Sequence, residues 1–175
     1  MKRKPKAIKN KFKNPVLPGF FMSIIPGWIW FCTFVKKTMS TSSVIYTGNL
    51  RTECTHSKSG EIIVTDAPPD NQGLGMYFSP TDMAATSLAS CMLTIIGISA
   101  RTHNFSIDST HAEVTKIMYS EPRRIGEIHI IFRFPDIEYS PKQKTIIRRS
   151  AESCPVMMSL HPDIIKKIEF RFYGE

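Results

Sequence analysis

A single apolar segment from Ser79 to Ala100, SPTDMAATSLASCMLTIIGISA, constrains the fold of this chain more than any other feature. Ser79 is a good N-cap, Pro80 suits the first position of a helix, and Asp82 completes a capping box. From Met83 to Ala100 apolar residues lie on nearly every face, which is typical of a helix that is buried all round. We therefore expect a long helix that forms the centre of the fold or is covered by a partner chain.

The first 38 residues differ in composition from the rest of the chain. They hold nine of the 23 Lys and Arg residues and none of the 15 acidic residues, so the remaining chain is nearly neutral. An apolar run from Val16 to Val35 is about as long as a membrane span, but prolines and glycines interrupt it. A membrane anchor, a signal peptide and a non-native extension all stay open. We expect the extension, followed by one domain over residues 39–175.

Charge and cysteine spacing exclude several classes of function. The net charge of +8 does not indicate a nucleic-acid partner, because the excess lies in the leader over residues 1–38. The four cysteines are Cys32, Cys54, Cys91 and Cys154, and no two have the C-x-x-C spacing of a zinc or thioredoxin-type site. We expect a cytoplasmic protein with reduced thiols that requires no metal and no organic cofactor, and no membrane contact for residues 39–175.

Segments that favour β-strands lie on both sides of the expected helix. Val44 to Thr55 predicts one strand, HSKSG a hairpin turn and EIIVTD the returning strand. After the helix, SIDSTHAEVTKIMY and GEIHIIFRF predict strands, with EPRRIG as the turn between them. A second helix opens at Ser140 and is disturbed by Pro155, and IKKIEFRFYG predicts a last strand. This order indicates an α+β fold.

Two thiols are candidates for chemistry. Cys91 lies near the middle of the long helix, so the helix N-terminus cannot activate it, and a reactive thiolate there needs a nearby cation. Arg51 is a candidate, because its guanidinium stays charged and offers several donors to a thiolate and to a peroxide oxygen. Cys154 precedes Pro155 at a helix break, which suits a sulfur that must move. From the residues alone, a Cys91–Cys154 redox pair and two unrelated buried cysteines both stay open.

Two separated motifs, SPTDMAATSLASCMLT and SCPVMMSLHP, together with the glycine-rich loop NQGLGMYFSP, resemble the OsmC/Ohr family of bacterial thiol peroxidases. The resemblance covers Val44 to the end of the chain. It implies a curved antiparallel sheet wrapped around the long central helix. It also implies an intertwined homodimer with two active sites at the subunit interface, and a part in the oxidative stress response.

The same resemblance implies roles for three residues. Cys91 is the peroxidatic cysteine, which attacks the distal oxygen of an organic hydroperoxide and becomes a sulfenic acid. Cys154 is the resolving cysteine, which condenses with the sulfenic acid to a disulfide and releases water. Arg51 takes the place of the family's catalytic arginine, nine residues before the hairpin glycine Gly60. An external thiol reductant then recycles the disulfide, and lipoyl-type dithiols serve part of the family.

The chain departs from the family pattern directly after the proline that opens the helix. Members carry there a glutamate that orients the arginine, whereas this chain has Thr81, with the acid Asp82 one residue on. One residue turns a helical side chain by about 100°, so Asp82 is expected to act first as a helix cap, and its catalytic role stays open. This departure favours an alternative function, in which the chain is an OsmC-fold binding or redox-sensing protein with weak or no peroxidase activity.

Overall fold

The computed structural model describes residues 40–174, and its first elements form a three-stranded antiparallel sheet. The strands are β1 (Ser42–Gly48), β2 (Arg51–His56) and β3 (Ile62–Asp66), in the spatial order β1-β2-β3. We call them sheet A. Its apolar residues are largely exposed. None of them belongs to the hydrophobic cluster formed by the described part of the chain.

The single strand predicted over Val44 to Thr55 is wrong, because this segment is a hairpin. The turn between β1 and β2 consists of Asn49 and Leu50, which have φ angles of 51° and 60°. Such turns fit the right-handed twist of the strands, but leucine enters this conformation at a cost of roughly 1–2 kcal/mol. An Asn-Leu pair is therefore a weak turn signal. As a result, Arg51 begins the second strand of the sheet instead of lying inside the first.

The predicted long helix is confirmed as α1 (Pro80–Thr102), with the capping box at its start. The Ser79 hydroxyl accepts a hydrogen bond from the backbone N–H of Asp82 at 3.1 Å, and the Asp82 carboxylate accepts one from the N–H of Ser79 at 2.8 Å. One face of α1 is buried, but Ile98 on the other side is 57% exposed. The prediction that α1 is buried on every face is therefore wrong for a single chain. α1 is long and apolar enough to cross a membrane, yet its buried face marks a core helix.

A second three-stranded sheet, sheet B, follows α1. Its strands are β4 (His111–Ser120), β5 (Arg123–Arg133) and β6 (Ile165–Arg171), in the order β4-β5-β6. β5 and β6 run parallel, which differs from the antiparallel sheet expected from the resemblance. The reason is the connection between them: the chain forms α2 (Pro141–Glu152) and α3 (Pro155–Ser159) before it returns to the sheet, and such crossovers join parallel strands.

The core lies between α1, sheet B and the helices α2 and α3. The alternation of β5 buries Ile128, Ile130 and Phe132 completely, in a hydrophobic cluster that also contains residues of α1 and α2. The basic pair that was assigned to a turn, Arg123 and Arg124, instead forms the first two residues of β5. The expected α+β fold is confirmed, with the correction that one chain forms two separate sheets, of which only sheet B supports the core.

Candidate functional site

The structure brings the thiols of Cys91 and Cys154 together. Cys91 lies in the middle of α1 and is half-buried, whereas Cys154 is the N-cap of α3 and is fully buried. The two thiols are close enough to interact, because α3 packs against α1. Both cysteines are free thiols. The pair has the components for a reversible disulfide.

The two thiols differ in their surroundings. Burial raises the pKa of the Cys154 thiol, and the neighbouring Cys91 thiol raises it further. Cys154 therefore stays protonated at neutral pH. A reagent that arrives from solvent meets Cys91 first, since Cys91 is the more exposed sulfur of the pair.

Arg51 lies at the start of β2, and its contacts go to sheet A and to the loop that leads into α1. One terminal nitrogen, Nη2, donates to Asp66 Oδ2 at 3.2 Å and to the sulfur of Met76 at 3.0 Å. The guanidinium carbon lies 5.1 Å from the centre of the Tyr77 ring, within the range of a cation–π contact. Among residues 40–174 of one chain, Arg51 makes no hydrogen bond to either thiol.

Asp66, the carboxylate next to Arg51, was not singled out from the sequence. It faces Arg51 directly in the register of β2 and β3 and is 1% exposed. Burial alone would raise the pKa of Asp66, but hydrogen bonds from the N–H of Met76 and from the Arg51 guanidinium outweigh it and hold the pKa below its usual range. Asp66 is the last residue of EIIVTD. The register of the β2–β3 hairpin, whose turn the sequence predicts, sets it opposite Arg51.

Asp82 serves as a helix cap, as expected, and a cation from sheet B holds it. The Nζ atom of Lys116 lies 2.7 Å from Asp82 Oδ1 and donates to the hydroxyl of Thr81 at 2.8 Å. Burial alone would raise the pKa of Asp82, but the hydrogen bonds from Lys116 and Ser79 lower it. Asp82 is not paired with Arg51 in the described chain, and its catalytic role stays a prediction.

An open cavity of about 530 Å³ lies beside this ion pair, between β3, the loop before α1, and β4. Its lining combines apolar side chains with one pair of opposite charges. The main apolar lining residues are Val64, Met76, Tyr77, Phe78 and Val114. Such a mixture of apolar walls and few polar groups suits a small organic molecule.

The remaining residues considered from the sequence do not form a further site. Within residues 40–174, no three His, Cys, Asp and Glu side chains converge as a metal-binding group. Cys54 is half-buried on β2, where its sulfur lies 3.9 Å from the hydroxyl of Thr52. The leader over residues 1–38, whether anchor, signal or extension, and Cys32 within it lie outside the described residues.

The fold and the cysteine motifs can be compared with known proteins. The family model "OsmC-like protein" matches residues 72–169. A solved structure from Psychrobacter arcticus 273-4, of a protein named for osmotic stress induction and detoxification response, is 52% identical. It has a TM-score of 0.74 and covers 77% of this chain and 98% of its own.

Two more distant structures share the fold. The organic hydroperoxide resistance protein OsmC of Legionella pneumophila is 14% identical, with a TM-score of 0.61 over 77% of this chain and 98% of its own. The organic hydroperoxide resistance protein OhrB of Bacillus subtilis is 18% identical, with a TM-score of 0.56 over 75% and 98%. No curated protein matches the chain. Because the family model spans more than half of the sequence and a relative of 52% identity shares the fold, the chain belongs to the OsmC/Ohr family.

Proposed function

We propose that this protein is a thiol-dependent peroxidase that reduces organic hydroperoxides through Cys91 and Cys154. The observation that carries the proposal is the contact between an accessible thiol and a fully buried one on packed helices. Relatives of the same fold are named for organic hydroperoxide resistance, which supports the substrate class. The cavity beside Phe78, with its apolar walls, suits the organic part of such a substrate.

The proposed reaction has three steps, and atoms and electrons balance in each. The Cys91 thiolate attacks the distal oxygen of the hydroperoxide, the O–O bond breaks, and the alkoxide takes a proton and leaves as an alcohol. Cys91 is then a sulfenic acid. The Cys154 thiol condenses with it: a disulfide bond forms, and the sulfenic oxygen leaves as water. An external dithiol of the lipoyl type, or another thiol, reduces the disulfide by exchange and restores both thiols.

The dimer is part of the proposal, because sheet A leaves a large apolar surface uncovered in one chain. Nine large apolar residues of sheet A and of the loop before α1 are between 48% and 66% exposed: Val44, Ile45, Tyr46, Ile62, Ile63, Leu74, Met76, Tyr77 and Phe78. They include consecutive strand residues, which lie on opposite faces of the sheet, and monomeric proteins rarely leave large apolar areas of this kind uncovered. We infer an intertwined homodimer in which sheet A of one copy packs on the other.

Arg51 supplies the positive charge in this proposal. It lies in sheet A, which contributes nothing to the core that holds the thiols, so assembly of two copies is the natural way to bring the two parts together. Its guanidinium keeps its charge and offers donors to a thiolate and to a peroxide oxygen. We propose a cytoplasmic location for the domain over residues 39–175, because thiols are kept reduced there.

Cysteine variants test the enzyme directly. Stopped-flow mixing of the reduced protein with cumene hydroperoxide should show rapid oxidation that Cys91→Ser abolishes. Cys154→Ser should still react once, but mass spectrometry should find overoxidised Cys91 in place of an intramolecular disulfide. Cys54→Ser is the matched control and should behave as the parent. If the Cys91→Ser variant consumes hydroperoxide as fast as the parent, the proposal is wrong.

A second candidate, a redox-sensing or binding protein, is favoured by one observation. The acid nearest to the family's glutamate position, Asp82, is held by Lys116 and Ser79 and not by Arg51. For a sensor, one slow oxidation of Cys91 to a stable disulfide is expected, without turnover when a dithiol reductant is present. Sustained turnover with dihydrolipoamide excludes this candidate.

A further inference from the structure

Arg51 and Asp66 form an ion pair that the register of sheet A imposes. The two residues stand directly opposite each other on β2 and β3, and opposed residues of an antiparallel pair project from the same face. The Asp66 side chain has no exposed surface, and that of Arg51 is 25% exposed. The contact between their side chains at 3.2 Å therefore follows from the backbone pairing of β2 and β3.

Asp66 is held in place by groups other than Arg51. Its carboxylate accepts a hydrogen bond from the N–H of Met76 at 3.1 Å, and its own N–H donates to the carbonyl of Phe78 at 3.1 Å. These two bonds fix Asp66 against the loop that leads into α1. Asp66 is therefore fixed independently of Arg51, and it can fix the orientation of the long Arg51 side chain.

Each member of the pair retains a buried polar atom without a partner. Asp66 Oδ1 and Arg51 Nε are buried and have no hydrogen-bond partner within the described residues. A buried charged group with an unpaired atom is costly, and a carboxylate and a guanidinium together have the atoms for a second parallel bond. The pair is therefore suited to a firmer, bidentate hold on the guanidinium than its single contact provides.

We propose that Asp66 is the positioning residue of Arg51, which it holds in the orientation in which Arg51 acts on the Cys91 thiolate and the hydroperoxide. The role rests on the proposed function. Thr81 is neutral, and Asp82 is engaged by Lys116, so neither provides this hold. Asp66 itself does not touch the reacting atoms. It acts through the guanidinium alone.

A double-mutant cycle separates positioning from a general structural effect. The rate constant for Cys91 oxidation by cumene hydroperoxide is measured in the full chain, in Asp66→Asn, in Arg51→Met and in the double variant. Asparagine keeps an oxygen for the N–H of Met76 but loses the charge. Loss of a charge-assisted hydrogen bond should lower the rate about tenfold or more when Arg51 is present, and hardly at all when methionine replaces it. Equal losses in both backgrounds overturn the proposal.

Asp70→Asn is the matched control. Asp70 pairs with Arg123 at 2.9 Å, but its side chain is 62% exposed, and exposed pairs contribute little. The control should oxidise at the rate of the parent. A slow Asp70→Asn variant would show that any lost carboxylate on this side of the molecule slows the reaction, and this outcome would overturn the specific role of Asp66.

Nitrogen-15 NMR of the arginine side chains decides the proposal without any peroxide. The Arg51 signal is assigned by its absence in Arg51→Met. A guanidinium held by a carboxylate should rotate slowly about its Cζ–Nε bond, and Asp66→Asn should make the rotation fast. Unchanged rotation overturns the positioning role, even if the enzyme is active. If the parent fails to react with hydroperoxide but the rotation changes, the proposed function fails and the positioning of Arg51 stands.

Discussion

At the scale of single residues, accessibility separates the two thiols that the fold brings together. Cys91 is half-buried, whereas Cys154 is fully buried and carries a raised pKa because of that burial. The order of events follows from this difference. In the proposed reaction, the sulfur that the substrate can reach would be oxidised first, and the sulfur that solvent cannot reach would stay a thiol until its neighbour has reacted.

Alkylation should reveal this difference directly. In the folded reduced protein at neutral pH, iodoacetamide should modify Cys154 about 100-fold or more slowly than Cys91, because Cys154 is buried and its raised pKa leaves little thiolate. Peptide mass spectrometry at timed intervals gives the two rates, with half-buried Cys54 as the internal reference. The difference should vanish in concentrated urea. Equal rates in the folded protein would contradict the assigned surroundings of Cys154.

Short-range features of the site could be predicted from the sequence, and long-range ones could not. The cap between Ser79 and Asp82 follows from residues three apart, so the motif was sufficient to predict it. Lys116 contacts Asp82 from a strand of sheet B, and no local sequence pattern predicts that contact. Asp66 was missed because its position opposite Arg51 depends on the exact register of the β2–β3 hairpin, in which a slip of one residue changes every partner.

At the scale of elements, helix limits were predictable because their signals are local. Ser140 and Gln143 form a second capping box at the start of α2, and proline follows Ser140 directly, as the sequence indicates. The β1–β2 turn escaped prediction because Leu50 occupies a position that usually favours glycine or asparagine. The parallel pairing of β5 with β6 depends on how the helices between them pack, which a strand pattern does not encode.

The parallel pair of strands in sheet B should weaken in acid. Glu127 on β5 accepts hydrogen bonds from Lys167 on β6 and from His129, and these contacts outweigh burial and lower its pKa to about 2. A carboxylate with a lowered folded-state pKa stabilises the protein above its unfolded pKa of about 4.3, and that stabilisation is lost as the pH falls through the folded value.

The variant Glu127→Gln tests this linkage. Urea unfolding at pH 7 should show a lower free energy of unfolding for Glu127→Gln than for the parent, because glutamine cannot form the ion pair with Lys167. The difference between the two proteins should shrink progressively between about pH 5 and pH 2. A difference that stays constant over this range would contradict the lowered pKa of Glu127.

At the scale of the whole molecule, the described chain leaves apolar surface uncovered on α1 and on sheet A. The sequence indicated that α1 would be covered on every side, yet one chain covers a single face, and sheet A extends its apolar residues away from the core. Composition and periodicity could predict that such surfaces must be covered. They could not predict which surface covers which in the proposed dimer, because that depends on how two folded chains pack.

Disruption of this surface should separate the copies. Ile63 on β3 is 49% exposed and lines an apolar pocket with Phe78 and Met83 of the same chain. Ile63→Glu places a charge in the proposed interface, where burial without a partner is costly. Sedimentation velocity should show a dimer for the parent and a monomer for Ile63→Glu. Ile137→Glu, at a residue that is 45% exposed in the loop before α2, is the control and should stay dimeric. A monomeric parent would contradict the inferred dimer.

The separation of the two cysteines along the chain has a consequence for mechanics. Between Cys91 and Cys154 lie the end of α1, the first two strands of sheet B and all of α2. A covalent link between the two sulfurs closes this stretch into a ring, which restricts the unfolded chain and in an entropic account stabilises the folded form by about 4 kcal/mol. Each turnover would then form and break a ring that contains nearly half of the described polypeptide. The thermal stability of the protein would therefore depend on whether the two cysteines are oxidised or reduced.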